Sequence, residues 1–276
     1  MSASPLHGVT HACFGLSYLV AFGLELARWA GPGPGWLRPA GLAAGAAGFL
    51  AHTAYLGYHH PSPAEPSAAL LLVAWVLAVF YLYGTVHHAR QAWAVFVLPV
   101  VIGLVGLSFV LATAGPDADP GVPAWLTADH TWGAIHGVLL LLAAVGVGVA
   151  FLASVMYLVQ AHRLKTKANP LGGMTMLSLE RLEAMSRRGV TAAFPLLTAG
   201  LVLGGVLLRS GHDLPANWFS LKVLGTAGLW LVFLVLLYLR YAAHATGRRL
   251  AVGTVLAFVL FVAVLAAAHP FAEGGR

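Results

Sequence analysis

The chain has 276 residues, 59% of them hydrophobic and only 9% charged, with a formal net charge of +6. Globular domains carry about 25% charged residues, so this composition excludes a soluble domain. The positive balance reads as a topology signal rather than as nucleic-acid binding, and the single cysteine, Cys13, leaves no internal disulfide or CxxC pair.

Eight apolar stretches punctuate the sequence. Hydrocarbon offers no water to backbone groups, so a spanning segment is a helix or part of a closed barrel. No strand-like alternation recurs. The expected fold is all-α: one polytopic membrane helical bundle over residues 1–276, with about eight transmembrane helices.

Helix 1 is expected at about residues 6–28. It lacks a basic stretch before it and runs into Glu25 and Arg28, so it reads as a retained helix rather than a cleaved signal. Glu25 and Arg28 stand at i, i+3, a simple ion-pair spacing. After the breaker GPGPG, helix 2 is expected at about 38–58, and after HHPSPAEP, helices 3 and 4 are expected at about 67–87 and 91–113. After GPDADPGVP, helix 5 is expected at about 132–160, helix 6 at 190–209, helix 7 at 219–241 and helix 8 at 249–268. Pro99 and Pro195 fall inside helices 4 and 6, where kinks are expected. The 161–189 segment is the longest loop on its side. Met176, Leu179, Leu182 and Met185 recur there at helical steps beside Arg181, Arg187 and Arg188, which fits a short interfacial helix or a solvated basic loop.

Threading eight helices puts 12 of the 15 Lys and Arg on one side: Arg28, Arg38, Arg90, Arg163, Lys165, Lys167, Arg181, Arg187, Arg188, Arg240, Arg248 and Arg249. Only Arg209, Lys222 and Arg276 fall on the other. The positive-inside rule then places both termini outside the cytoplasm of a multi-pass inner (cytoplasmic) membrane protein.

The 13 histidines divide the opposite way. His7, His11, His52, His59, His60, His130, His136, His212 and His269 gather at the outer face, whereas His87, His88, His162 and His244 sit at inner helix ends, where interfacial anchoring suffices. His52 lies inside helix 2, His136 one turn into helix 5, His212 beside Asp213, and His269 at the close of helix 8. Ionisable residues within membrane helices point to function, and a neutral imidazole also offers a ring nitrogen to a metal. Haem iron takes axial imidazoles in an apolar slot, and Trp125, Trp132, Trp218, Tyr55 and Phe219 lie near the same face. Zinc prefers three or four ligands with carboxylate or thiolate help. Only His7 and His11, at i, i+4, offer a pair for it, and no HExxH occurs.

From residue 132 the sequence resembles a known family. The run WGAIHGVLLLLAAVGVGVAFLASVMYLVQAHRLKTK is similar to the haem-handling cytochrome c assembly proteins, most of all their CcsA and HemX-type members. Trp132, His136, Tyr157-Leu158, Gln160 and Leu164-Lys165 carry the match. Leu179, Glu180 and Leu182 follow, then Trp218, Lys222, Tyr238–Arg240, Gly247-Arg248-Arg249 and the terminal His269. His52 sits where such proteins carry a membrane histidine.

The resemblance implies that His136 and His269 ligate haem b, flanking a tryptophan-rich outer loop of which Trp218 and Lys222 are the remnant. NWFSLK has one Trp and lacks the acidic residue and proline of the full signature, which is closer to the HemX-like branch. Trp132 or Trp125 would complete the apolar wall, Lys222 or Arg209 would pair with propionates, His212 would line the same site, and His52 would be a second, deeper site. The implied function is haem handling or presentation in cytochrome c assembly, as a component of a haem-attachment system. The implied partners are a second membrane protein with a large extracytoplasmic domain and apocytochrome c. A b-type cytochrome for quinone-linked electron transfer and a non-enzymatic regulator of haem synthesis remain as alternatives.

Overall fold

The computed structural model describes residues 10–30, 34–61, 65–87, 91–114, 131–166, 176–210, 221–243 and 245–267. These form eight helices: α1 His11–Ala30, α2 Leu37–His59, α3 Pro66–His87, α4 Trp93–Ala114, α5 Thr131–Thr166, α6 Leu179–Ser210, α7 Leu221–Tyr241 and α8 Gly247–Ala267. The all-α expectation holds. Six of them, α3 to α8, are long and apolar enough to cross a membrane. The shortfall of α1 and α2 has a compositional cause. The first carries Glu25 and Arg28, and the second alternates Ala and Gly with Arg38 and His52.

The helices pack as two groups of four. In the first, α1 lies on α2 and on α4, and α3 lies on α4; in the second, α5 pairs with α6 and α8, and α7 with α8. The contact of α3 with α5 joins the groups. The core runs through both, from Phe14 and Tyr18 through Leu70, Leu77 and Leu98 to Leu152, Met156 and Phe233.

Small residues set how closely the helices approach, as membrane helices require when apolar burial gives no preference for partner over lipid. On α2, Gly41, Gly45, Gly48 and His52 form one buried stripe. A Cβ on Gly48 would lie 3.1 Å from the Tyr18 ring, and one on Gly45 would overlap the Tyr81 hydroxyl. Between α5 and α6 the same device is a ladder: Gly146 meets Ala193, and Gly189 meets Gly146 and Ala150.

A Cβ on Gly189 would stand 2.7 Å from the Gly146 carbonyl oxygen, which is backbone and cannot rotate away. Gly189→Ala is therefore expected to be destabilising by about 1–3 kcal/mol through overpacking, despite the helix propensity Ala adds. Gly103→Ala, with nothing within 4 Å of its Cβ position, is the control. Thermal unfolding of the two variants in detergent should separate them; equal midpoints would mean that close approach does not hold α5 to α6.

Two helices are longer than expected. At 1.5 Å per residue, the 36 residues of α5 span about 54 Å against about 30 Å of hydrocarbon. The amphipathic segment expected as a separate element is helical, but it forms the first turns of α6. The Ser178 hydroxyl caps its start by accepting from the Arg181 N–H at 3.4 Å, and Glu180 sits in the positive first turn. Leu182 is then fully buried, Ser186 shares a hydrogen bond with Ser154 at 2.9 Å, and Glu183 pairs with Arg240 of α7 at 2.9 Å. These contacts turn the apolar stripe of 179–189 inward onto α5 and α7. Pro99 and Pro195 lie within α4 and α6, and neither ends its helix.

Candidate functional site

His136 occupies the second turn of α5, half-buried against α6. Its Nδ1 lies 2.8 Å from the carbonyl oxygen of Gly200. A carbonyl only accepts, so Nδ1 carries the proton and donates it, and Nε2 keeps its lone pair. Donation of the second ring N–H to a backbone carbonyl is the arrangement that orients metal-ligating histidines.

The α6 surface is shaped for this ring. Gly200 and Gly204, one turn apart, face α5. A Cβ on Gly204 would approach the His136 Cε1 to 2.8 Å, and one on Gly200 would meet Leu140 Cδ2 at 2.7 Å. His136 against Gly204 and Leu140 against Gly200 continue the antiparallel register of the Gly146–Ala193 contact. Sequence reading found the histidine but missed its two glycines. The α6 run TAGLVLGG, with small residues one turn apart, was the available signal.

Four helix ends that flank expected site residues in sequence lie together at one end of the bundle. In the antiparallel pair of α7 and α8, Gly225 meets Val264 and Gly253 meets Leu236, so the start of α7 lies beside the end of α8. Between α5 and α8, Tyr157 meets Gly247 and Phe151 stacks on Phe258 at 4.2 Å, again antiparallel. The start of α5, the end of α6, the start of α7 and the end of α8 therefore share one end. Lys222 is the second residue of α7 and Arg209 the last but one of α6. Trp132, one turn before His136, is 61% exposed. His269, His212, Trp218 and Trp125 lie outside the described residues, as do the side chains of Lys222 and Arg209.

His52 belongs to the other group of helices. It is fully buried on α2, stacked parallel on Phe14 of α1 at 4.4 Å, with Nδ1 3.4 Å from the Tyr18 hydroxyl. Its Nε2 is enclosed without a hydrogen-bond partner, and so is Nε2 of His11. The sequence set His11 beside His7, which lies outside the described residues. The structure sets it against Tyr55, Phe14 and Phe109, at centroid distances of 4.7, 5.7 and 5.9 Å. Of the inner histidines, His87 closes α3 with its ring stacked on Tyr83, and His162 is exposed. Both fit anchoring at a helix end. Among the described residues, no three His, Cys, Asp or Glu converge as a metal-ion cluster.

Comparison with known proteins places this architecture. The chain is 24% identical over 207 residues to the cytochrome c biogenesis protein CcsA of Guillardia theta, covering 70% of this chain and 68% of that protein. No solved structure matches it. The family model for cytochrome C assembly protein matches residues 65–265, all but the first two helices. With well over half of its length so matched, this multi-pass membrane protein belongs to the cytochrome c assembly family and has its role in cytochrome c biogenesis.

Proposed function

We propose that the protein handles haem b at the extracytoplasmic face of the inner membrane, with His136 and His269 as the residues that would hold its iron and both termini on that face. One observation carries the reading: the His136 proton is committed to Gly200, which leaves Nε2 as a lone-pair nitrogen at a helix end. The antiparallel register of α5 and α8 supports the pairing. Tyr157 lies on Gly247 and Phe151 on Phe258, so chain running upward from Phe258 approaches the level of His136.

Trp132, exposed one turn from His136, with Trp218 or Trp125, would supply an apolar wall. His212, between α6 and α7 in sequence, would line the same site. Lys222 or Arg209, at the helix ends named above, would pair with propionates, because charge-assisted hydrogen bonds to carboxylates are the strong ones. Haem when bound supplies the group to be joined to a cytochrome. The residues of this chain hold and orient it and keep it from water. His136 and His269 would each offer an imidazole nitrogen to the iron, and an apocytochrome would be the acceptor of the haem. A second membrane protein with a large extracytoplasmic domain would work beside it. His52 forms a second metal position in the other group of helices.

The test is visible spectroscopy of the purified full chain. The wild-type protein is expected to show a haem spectrum of six-coordinate, bis-imidazole type. His136→Ala and His269→Ala should each weaken haem binding by more than the roughly ten- to hundredfold typical of losing an outer-shell partner alone. If both variants keep the wild-type spectrum, these are not the ligands.

A further inference from the structure

We propose that His11 and His52 form a buried two-imidazole site for a single cuprous ion, bound through their Nε2 atoms. This rests on the reading of His52 as a second metal position and is independent of haem at His136.

Two enclosed ring nitrogens on neighbouring helices lack partners in one aromatic pocket. A buried polar atom without a partner costs about 1–3 kcal/mol, so two together call for a ligand. Both rings lie against Phe14, at 5.7 and 4.4 Å, so the two imidazoles share one wall of the pocket. Tyr18 stands at the far nitrogen of His52, where its hydroxyl oxygen accepts the Nδ1 proton once Nε2 binds a metal. Tyr55 lies edge-on to His11 at 4.7 Å.

The occupant follows from what surrounds the pair. Aromatic rings packed this tightly on the imidazoles leave no room for a macrocycle, so the occupant is a bare ion. Among the described residues, only two imidazole nitrogens here are enclosed without a partner, whereas zinc takes four ligands. No carboxylate contacts the pair among the described residues, so the charge of a divalent ion would stand uncompensated, and the cost of burying an ion rises with the square of its charge. A monovalent d10 ion that accepts linear coordination by two nitrogens satisfies each condition. Imidazole suits copper, and Cu(I) is that ion.

The experiment uses the full chain, purified in detergent without oxygen and titrated with Cu(I) against bicinchoninate. Wild-type and His136→Ala proteins should each take up one Cu(I) per chain, with X-ray absorption reporting two nitrogen neighbours. His11→Phe and His52→Phe should bind it at least about tenfold more weakly while their haem spectra are unchanged. His11 opens α1 and is only half-buried, so His11→Phe tests the site even if His52→Phe fails to fold. The proposal is overturned if His11→Phe binds copper as wild type does, or if the absorption spectrum shows sulfur from Cys13. It is also overturned if His11→Phe loses haem instead of copper.

Discussion

Gly204→Ala is expected to strip haem from the protein while Gly205→Ala, one residue along the same helix, leaves haem in place. The two substitutions add the same methyl group to α6 and gain the same helix propensity, about 0.5–1 kcal/mol over Gly. They differ in what the methyl meets. At 205 nothing lies within 4 Å, whereas at 204 the His136 ring lies at 2.8 Å through Cε1 and 3.2 Å through Nδ1. To make room the imidazole must leave its rotamer, at about 0.5–1.5 kcal/mol, and surrender its bond to Gly200, worth about as much again. The sum, roughly 1–3 kcal/mol, corresponds to a ten- to hundredfold weaker site, because each 1.4 kcal/mol is a factor of ten. Haem content per chain, read from the visible spectrum after purification, checks it. Equal haem in the two variants would show that the imidazole has no fixed orientation to lose. Because Gly204→Ala leaves His136 itself intact, the result separates the held ring from the mere presence of a histidine.

How much of this was legible in the sequence depends on how local the determining contact is. The Glu25–Arg28 pair was read from spacing, and the structure places Arg28 Nη1 3.0 and 3.2 Å from the two carboxylate oxygens. Helix number and the position of His136 were equally local, since hydropathy and turn residues fix them. The start of α6 was not. Hydropathy sets the sequence boundary where the charged residues end, at about residue 190. The helix in fact starts eleven residues earlier, because Ser154 and Arg240, from two other helices, take up Ser186 and Glu183. The companionship of His11 and His52 was hidden for the same reason. It depends on α1 lying against the glycine stripe of α2, and the choice of helix neighbours is not written in either segment alone.

The same stripe makes Arg28→Met the substitution expected to cost most stability. Glu25 is 1% exposed, and its carboxylate packs against the glycine stripe of α2, where a Cβ on Gly41 would stand in ordinary contact at 3.6 Å from Glu25 Oε1. Tyr81 of α3 closes over the same place by donating to the Gly41 carbonyl at 3.4 Å. Arg28 reaches the carboxylate from one turn further along α1, 19% exposed, with its guanidinium 4.7 Å over the Trp29 ring. Methionine keeps most of the length and apolar surface of the arginine stem but removes the charge. The carboxylate is then buried without its cation, a loss of about 3–5 kcal/mol for a pair of this kind. Glu25→Gln in the same chain should return much of that loss, because a neutral amide no longer needs a cation. The double variant should be clearly more stable than Arg28→Met alone, and the interaction energy of the cycle should be well above the few tenths of a kcal/mol of an exposed i, i+3 pair. Thermal unfolding in detergent, followed by tryptophan fluorescence, measures all four proteins. If Arg28→Met unfolds with the wild-type protein, or if adding Glu25→Gln lowers stability further, then the carboxylate is not held by Arg28. In that case its burial between α1 and α2 would have to rest on the backbone of the glycine stripe.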